Sequence, residues 1–177
     1  MDDPLTETTS SFPDQFTAVF EANFARLFRY LDRLSGDPEL SADLAQEAFV
    51  RLYRRGALPD APAAWLISVA MNLFRNERST RGRRGRLLTE ARSRHALGDA
   101  PPAPDDEAVA SETRRRVRAT IDRMPERERR LLLLHAEGFS YREIAAGLDI
   151  HEASVGTLLA RARRAFRTLY EGDSDAP

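Results

Sequence analysis

The chain has 177 residues, 42% of them apolar and 31% charged, with a net charge of -1, an ordinary soluble composition with room for one domain or two small ones. Its longest aliphatic run, Leu131 to Leu134, falls far short of the roughly 20 residues that span a bilayer, so no membrane insertion is expected. Zero Cys excludes disulfides, Cys-ligated zinc and thiol nucleophiles, and His95, His135 and His151 are scattered, so no metal site, no cofactor and no catalytic site are expected.

Met1 to Ser11 is acidic and Thr-rich, without the basic start and apolar stretch of a secretory signal, which predicts a cytoplasmic protein. Phe16, Phe20, Phe24, Leu27, Leu31 and Leu34 then recur at spacings of three and four. They predict a first helix from about Asp14 to Leu34 with this stripe in the core. A second helix is expected from Ser41, as N-cap, to Gly56, with Leu44, Ala48, Phe49 and Leu52 inward and Asp43, Gln46, Glu47 and Arg51 outward. After the Pro-containing loop Gly56 to Ala64, Pro62 suits the first turn of a third helix. On a helical wheel this helix turns Leu66, Val69, Ala70 and Leu73 to one side and Ser68, Asn72, Arg75, Asn76 and Ser79 to the other. Trp65 falls at the edge of the polar face. Gly82 and Gly85 are expected to break the helix within the Arg-rich stretch Arg78 to Arg86.

Charge is segregated along the chain. Residues 1–60 carry a net -5, 61–95 a net +6, 96–113 a net -5, 114–170 a net +6 and 171–177 a net -3, and every basic residue is Arg. The stretch Ala96 to Ala110 has three Pro, clustered acids and no aromatic residue, the composition of a linker. It divides the chain into a domain over residues 12–95 and another over 112–171, with 96–111 between them. With no sustained apolar alternation anywhere, both domains are predicted to be helical and the fold class all-α.

In the second domain Pro125, Glu126 and Glu128 open a helix in which Leu131, Leu132 and Leu134 are expected to be buried, and Gly138 closes it. Ser140 and Glu143 fit a capping box at the head of a short helix that Gly147 is expected to stop. A tight turn leads to a last helix. Its Val155, Leu159, Ala162, Phe166 and Leu169 form one apolar stripe, and Ser154, Thr157, Arg161, Arg164 and Arg167 lie on the opposite surface. Two short helices in this order, the second with an Arg-bearing outer face, are a helix-turn-helix arrangement that suits the major groove.

These pieces together resemble the extracytoplasmic-function (ECF) sigma factors, compact members of the sigma-70 family that keep regions 2 and 4. S-A-D-L-A-Q-E-A-F-V-R-L-Y-R-R (Ser41 to Arg55) resembles region 2.2, and A-P-A-A-W-L-I-S-V-A-M-N-L-F-R-N (Ala61 to Asn76) regions 2.3 and 2.4. M-P-E-R-E-R-R-L-L-L-L (Met124 to Leu134) resembles region 4.1, and Gly138 to Arg164 region 4.2. The resemblance implies a promoter-specificity factor with no catalysis of its own. Its implied partners are the RNA polymerase core, through the β′ clamp helices and the β flap, promoter DNA, and an anti-sigma factor. Asp43, Gln46 and Glu47 match positions that dock on the β′ clamp helices. Trp65, Asn72, Arg75 and Asn76 match the surface turned to the minus-10 element, and the loop Gly56 to Ala64 matches one that captures an unstacked base. Trp65 stands for one of two adjacent wedge aromatics, the second being Leu66 here. Ser154, Thr157, Arg161 and Arg164 fall to the minus-35 element, while Gly156, Leu158 and Ala160 replace larger side chains common in relatives.

Three other readings fit parts of the chain. A LuxR-like regulator would share the helix-turn-helix of residues 124–164 but would not carry the N-terminal motifs. An interaction module of the anti-sigma kind requires the basic faces to be only solvated surface. An enzyme would have to use Asp105, Asp106 and Glu107, which lie in the expected linker.

Overall fold

A computed structural model describes residues 11–88 and 105–172, and among the described residues there are seven helices and no strand. They are α1 (Phe12–Ser35), α2 (Pro38–Arg54), α3 (Pro62–Leu88), α4 (Asp105–Arg123), α5 (Glu126–Ala136), α6 (Tyr141–Leu148) and α7 (Glu152–Gly172). The fold is all-α.

Local chemistry sets most of the helix ends. Ser11 caps α1 in a capping box with Asp14, and Gly36 ends it at φ 72°, a left-handed conformation that costs glycine little. α2 begins three residues before the expected Ser41. Pro38 occupies its first turn and Asp37 accepts a hydrogen bond from the Leu40 N–H at 3.0 Å, so an earlier and stronger cap takes the helix start. Ser41 is instead fully buried, donating to the Asp37 carbonyl at 2.8 Å.

One helix extends beyond its expected end, and another, not expected from the sequence, takes up part of the linker. α3 continues through Gly82 and Gly85 to Leu88. A helical glycine costs only about 1 kcal/mol relative to Ala, and unlike proline it keeps its backbone donor. α4 takes up 105–111, the last part of the expected linker. Asp105, Asp106 and Glu107 are the first three residues of this helix. The Pro-rich remainder of that linker, and residues 89–95 of the first expected domain, lie outside the described residues.

α1, α2 and α3 pack on one another, α5, α6 and α7 do likewise, and α4 lies against α7. The two groups also meet each other, α3 against α6 and α1 against α5, and their buried side chains form one continuous cluster from Leu27 to Leu159. Within α5 the buried leucines are Leu131, Leu133 and Leu134, with Leu132 only half-buried. Tyr30 is fully buried and donates to Met71 Sδ at 3.0 Å; burial pushes its hydroxyl pKa up.

Gly147 does not stop α6 but lies inside it, and Asp149, at φ 55°, provides the left-handed cap. The glycine serves close approach. A Cβ at this position would lie 2.8 Å from Ile67 Cγ2 of α3, so α6 reaches α3 only because the side chain is missing.

The expected capping box of α6 is present, with the Glu143 N–H donating to Ser140 Oγ at 3.2 Å and the Ser140 N–H to Glu143 Oε2 at 2.7 Å. Partial burial of Glu143 alone would raise its pKa. The hydrogen bonds from Arg26 and Ser140 outweigh this and hold it below the usual value of 4.5. A carboxylate with a depressed folded-state pKa contributes stability that is fully present above its unfolded pKa and is lost as pH falls through the folded value. Glu143→Gln should therefore reduce the stability lost between neutral pH and acid below 4.5. Urea midpoints of the wild type and the variant, followed from pH 7 to pH 3, check this; parallel curves would refute it.

Candidate nucleic-acid interface

Three surfaces carry the residues singled out from the sequence. The first is the outer side of α2. Asp43 and Gln46 are exposed, and Glu47 is half-buried and pairs with Arg51 at 2.8 Å. Leu44, Ala48, Phe49 and Leu52 are buried on the opposite side. An exposed i,i+4 pair of this kind contributes only about 0.2–0.5 kcal/mol, so these acids hold little of the fold together.

This surface continues into an apolar groove that the sequence reading missed. Phe16, Phe20 and Phe24 of α1 and Gln46, Phe49, Val50 and Tyr53 of α2 line a cavity of about 440 Å³. Phe20 was expected in the core yet is 38% exposed, and Tyr53 is 57% exposed. The crossing of α1 and α2 leaves the N-terminal half of the Phe stripe uncovered on one flank. Phe49 forms the floor, edge-on to Phe20 with ring centroids 5.1 Å apart. Val50 and Tyr53 follow Gln46 at spacings of four and three, so the extension along one helix face could have been read from the sequence.

The second surface is the polar side of α3, where Asn72, Arg75 and Asn76 are all exposed. The Arg75 guanidinium donates to Asn72 Oδ1 and to the Met71 carbonyl. This bond orients the amide of Asn72 while leaving its nitrogen as a donor. Trp65 is half-buried against the core and Leu66 is 1% exposed. Of these two adjacent positions only Trp65 carries a ring. Ser68, on the same side as Asn72, is covered, its Oγ donating to the Gly147 carbonyl of α6 at 3.0 Å.

The third surface is the outer side of α7. Ser154, Thr157, Arg161 and Arg164 are exposed, while Val155, Leu159 and Ala162 are buried beneath them. Arg161 pairs at 2.8 Å with Glu128 of α5, which is almost fully buried, so one exposed arginine of this surface is tethered inside the same half of the molecule. Gly156 is not imposed by crowding. A Cβ there would meet Tyr141 Cε2 at 3.7 Å, an ordinary contact. Tyr141, 42% exposed at the head of α6, is a second residue of this surface that spacing did not single out.

The structure brings the second surface close to the C-terminal helices. Asn72 and Arg75 share a cavity of about 380 Å³ with Arg130 and Asp149. Asp43, Gln46 and Glu47 take no part in it. Among the described residues no group of His, Asp or Glu is placed to hold a metal ion, and no helix is long and apolar enough to cross a membrane.

Comparison with known proteins adds independent findings. Residues 19–84 match the family Sigma-70 region 2, and residues 114–166 match Sigma-70, region 4. The RNA polymerase sigma-H factor of Pseudomonas aeruginosa is 33% identical over 147 residues, which cover 76% of this chain and 75% of that protein. The ECF RNA polymerase sigma factor SigE of Mycolicibacterium smegmatis is 32% identical over 146 residues, 80% of this chain; the chain spans only 56% of that relative's length. The sigma factor RpoE of Bartonella quintana, solved in complex with the anti-sigma factor NepR, shares the fold at a TM-score of 0.64 and 19% identity, covering 89% of this chain and 97% of that one. A match to region 2 ahead of the helix-turn-helix separates this sequence from free-standing LuxR-like regulators, and from enzymes, since sigma factors are non-enzymatic initiation factors. The chain belongs to the ECF group of the sigma-70 family of RNA polymerase sigma factors.

Proposed function

We propose that this chain directs promoter-specific initiation by joining the RNA polymerase core and reading two promoter elements, with residues 12–95 and 112–171 as its two working domains. The observation that carries this reading is the segregation of chemistry between surfaces. An exposed acidic and amide face on α2 adjoins an apolar groove, whereas the outer sides of α3 and α7 carry Asn, Ser, Thr and Arg. Asp43, Gln46 and Glu47, continued by Val50 and Tyr53, dock on the β′ clamp helices, and the second domain meets the β flap. Acidic side chains meet basic groups at such an interface, and the exposed aromatics supply apolar anchors.

Trp65, Asn72, Arg75 and Asn76 take the minus-10 element, and Ser154, Thr157, Arg161 and Arg164 the minus-35 element. With a single wedge ring, strand opening depends on a favourable promoter sequence. Side chains on α7 are short except for arginine, so minus-35 reading combines a few base contacts with phosphate contacts and groove shape. The protein works where the polymerase does, in the cytoplasm. An anti-sigma factor is a further partner, supported by the fold shared with a sigma factor solved in such a complex.

Run-off transcription by purified core enzyme, with and without the chain, on a set of genomic fragments tests this reading. New specific transcripts are expected only with the chain present, and their absence on every fragment would reject it. Residue roles are tested by Asn72→Ala and Arg161→Ala. Each should lose about 1–3 kcal/mol of discrimination at one element only. Promoters altered at one element at a time should show separable defects in transcript yield; identical patterns would overturn the two assignments.

A further inference from the structure

The first two turns of α7, residues 152–158, carry no arginine; every arginine of this helix lies at position 161 or later. In a helix-turn-helix the N-terminal residues of the second helix meet the base edges, and a guanine is read best by an arginine long enough to reach both O6 and N7. The leading turns of α7 instead expose Ser154 and Thr157, which are short. Arg161, the nearest long donor on the helix, is held at 2.8 Å by Glu128. Long-reach hydrogen bonding is therefore poorly provided where the helix meets bases.

Gly156 lies in this stretch, half-buried, and an aromatic ring from α6 stands beside it. A Cβ at Gly156 would meet Tyr141 Cε2 at 3.7 Å, and among the described residues no other atom outside α7 comes within 4 Å of that Cβ. Tyr141 is the first residue of α6 and 42% exposed. Behind it lies the half-buried ring of His135, with centroids 6.0 Å apart. The missing side chain thus leaves a notch the size of a methyl group, floored by the backbone of α7 and walled by a carbon edge of the Tyr141 ring.

We propose that Tyr141 and Gly156 form an apolar notch for the 5-methyl group of a thymine in the minus-35 element, and so set base preference at one position of that element. This rests on the assignment of α7 to the minus-35 element under Proposed function. Thymine carries a methyl group on its major-groove edge, and apolar side-chain atoms are what recognise it. The other three bases present no methyl there and leave the ring edge without a partner. Glycine at 156 leaves room for the methyl, and the tyrosine supplies the surface it packs on.

The test removes a single methyl group. Holoenzyme is reconstituted from core polymerase and the full chain, each thymine of the minus-35 element of a responsive promoter is replaced in turn by deoxyuridine, and run-off yield is measured at sub-saturating holoenzyme. One replacement should lower the wild-type yield about fourfold, the scale of one buried methyl group. Gly156→Ala puts its own methyl into the notch at an ordinary contact distance from the ring. Alanine is also the better helix former, so this variant should melt no lower than wild type yet lose the deoxyuridine effect. Tyr141→Ala removes the wall and should lose it as well, whereas Tyr141→Phe keeps the ring and should retain it. A purely structural role for either residue would lower yield on both templates alike and leave their ratio at the wild-type value. A deoxyuridine effect that persists in Gly156→Ala or Tyr141→Ala would therefore overturn the notch. So would a promoter that needs its minus-35 element, as shown by scrambling it, but responds to no deoxyuridine replacement; that result leaves the sigma-factor reading intact. Chain-dependent transcription indifferent to scrambling would reject the minus-35 assignment itself, and the notch with it.

Discussion

Asp43→Arg combined with Glu47→Arg is expected to abolish binding to core polymerase while leaving circular dichroism and melting temperature near wild type. Both residues lie on the outer side of α2, and the one contact to Arg51 is an exposed pair whose loss costs a few tenths of a kcal/mol. At an interface the same change replaces two attractive charges with two repulsive ones. Truncating one member of a buried charged pair already costs about 2–5 kcal/mol there, so a double reversal should remove measurable binding in a fluorescence-anisotropy titration. If these acids merely keep a helix soluble, the well-folded double variant will bind core and support transcription normally.

Phe49→Ala should produce the largest loss of stability on the same helix. Its ring is 3% exposed and contacts those of Phe16, Phe20 and Phe24. Truncating a buried Phe costs about 3–5 kcal/mol because the cavity closes only partly, a large share of the ~5–15 kcal/mol that holds a typical protein folded. Tyr53, four residues further along α2 and 57% exposed, should tolerate Ala at about 1 kcal/mol. Urea denaturation followed at 222 nm compares the two; equal midpoints would show that the groove floor is not part of the core.

Secondary structure was largely legible because period and caps report on it directly. The stripe from Leu27 to Leu34, the capping box of Ser140 and Glu143, and the buried Val155, Leu159 and Ala162 all follow from spacing. Helix ends were read less well where two signals competed, as at Asp37 and Ser41, or where glycine was given the breaking power of proline, as at Gly82 and Gly85. Burial was ambiguous for the phenylalanines. A wheel shows that Phe20 and Phe24 share a side of α1, but the angle at which α2 crosses decides how much of that side is covered. The contacts between the halves were not legible at all. Ser68 reads as a solvated polar residue and Gly147 as a helix stop, and only their apposition shows that one donates to the other's carbonyl.

That apposition also bears on synthesis of the chain. Ile67 is fully buried in the finished molecule, partly beneath Gly147, which lies 80 residues later in the sequence. At ~5–20 residues per second, the ribosome adds Ile67 roughly 4–16 s before the backbone that covers it exists. During that interval the nascent chain displays an uncovered apolar strip beside Asn72 and Arg75. Early folding must therefore proceed without the docked partner, and α1 to α3 have to hold their own packing from the outset. The halves then close as a late step, after a working set of helices has already formed.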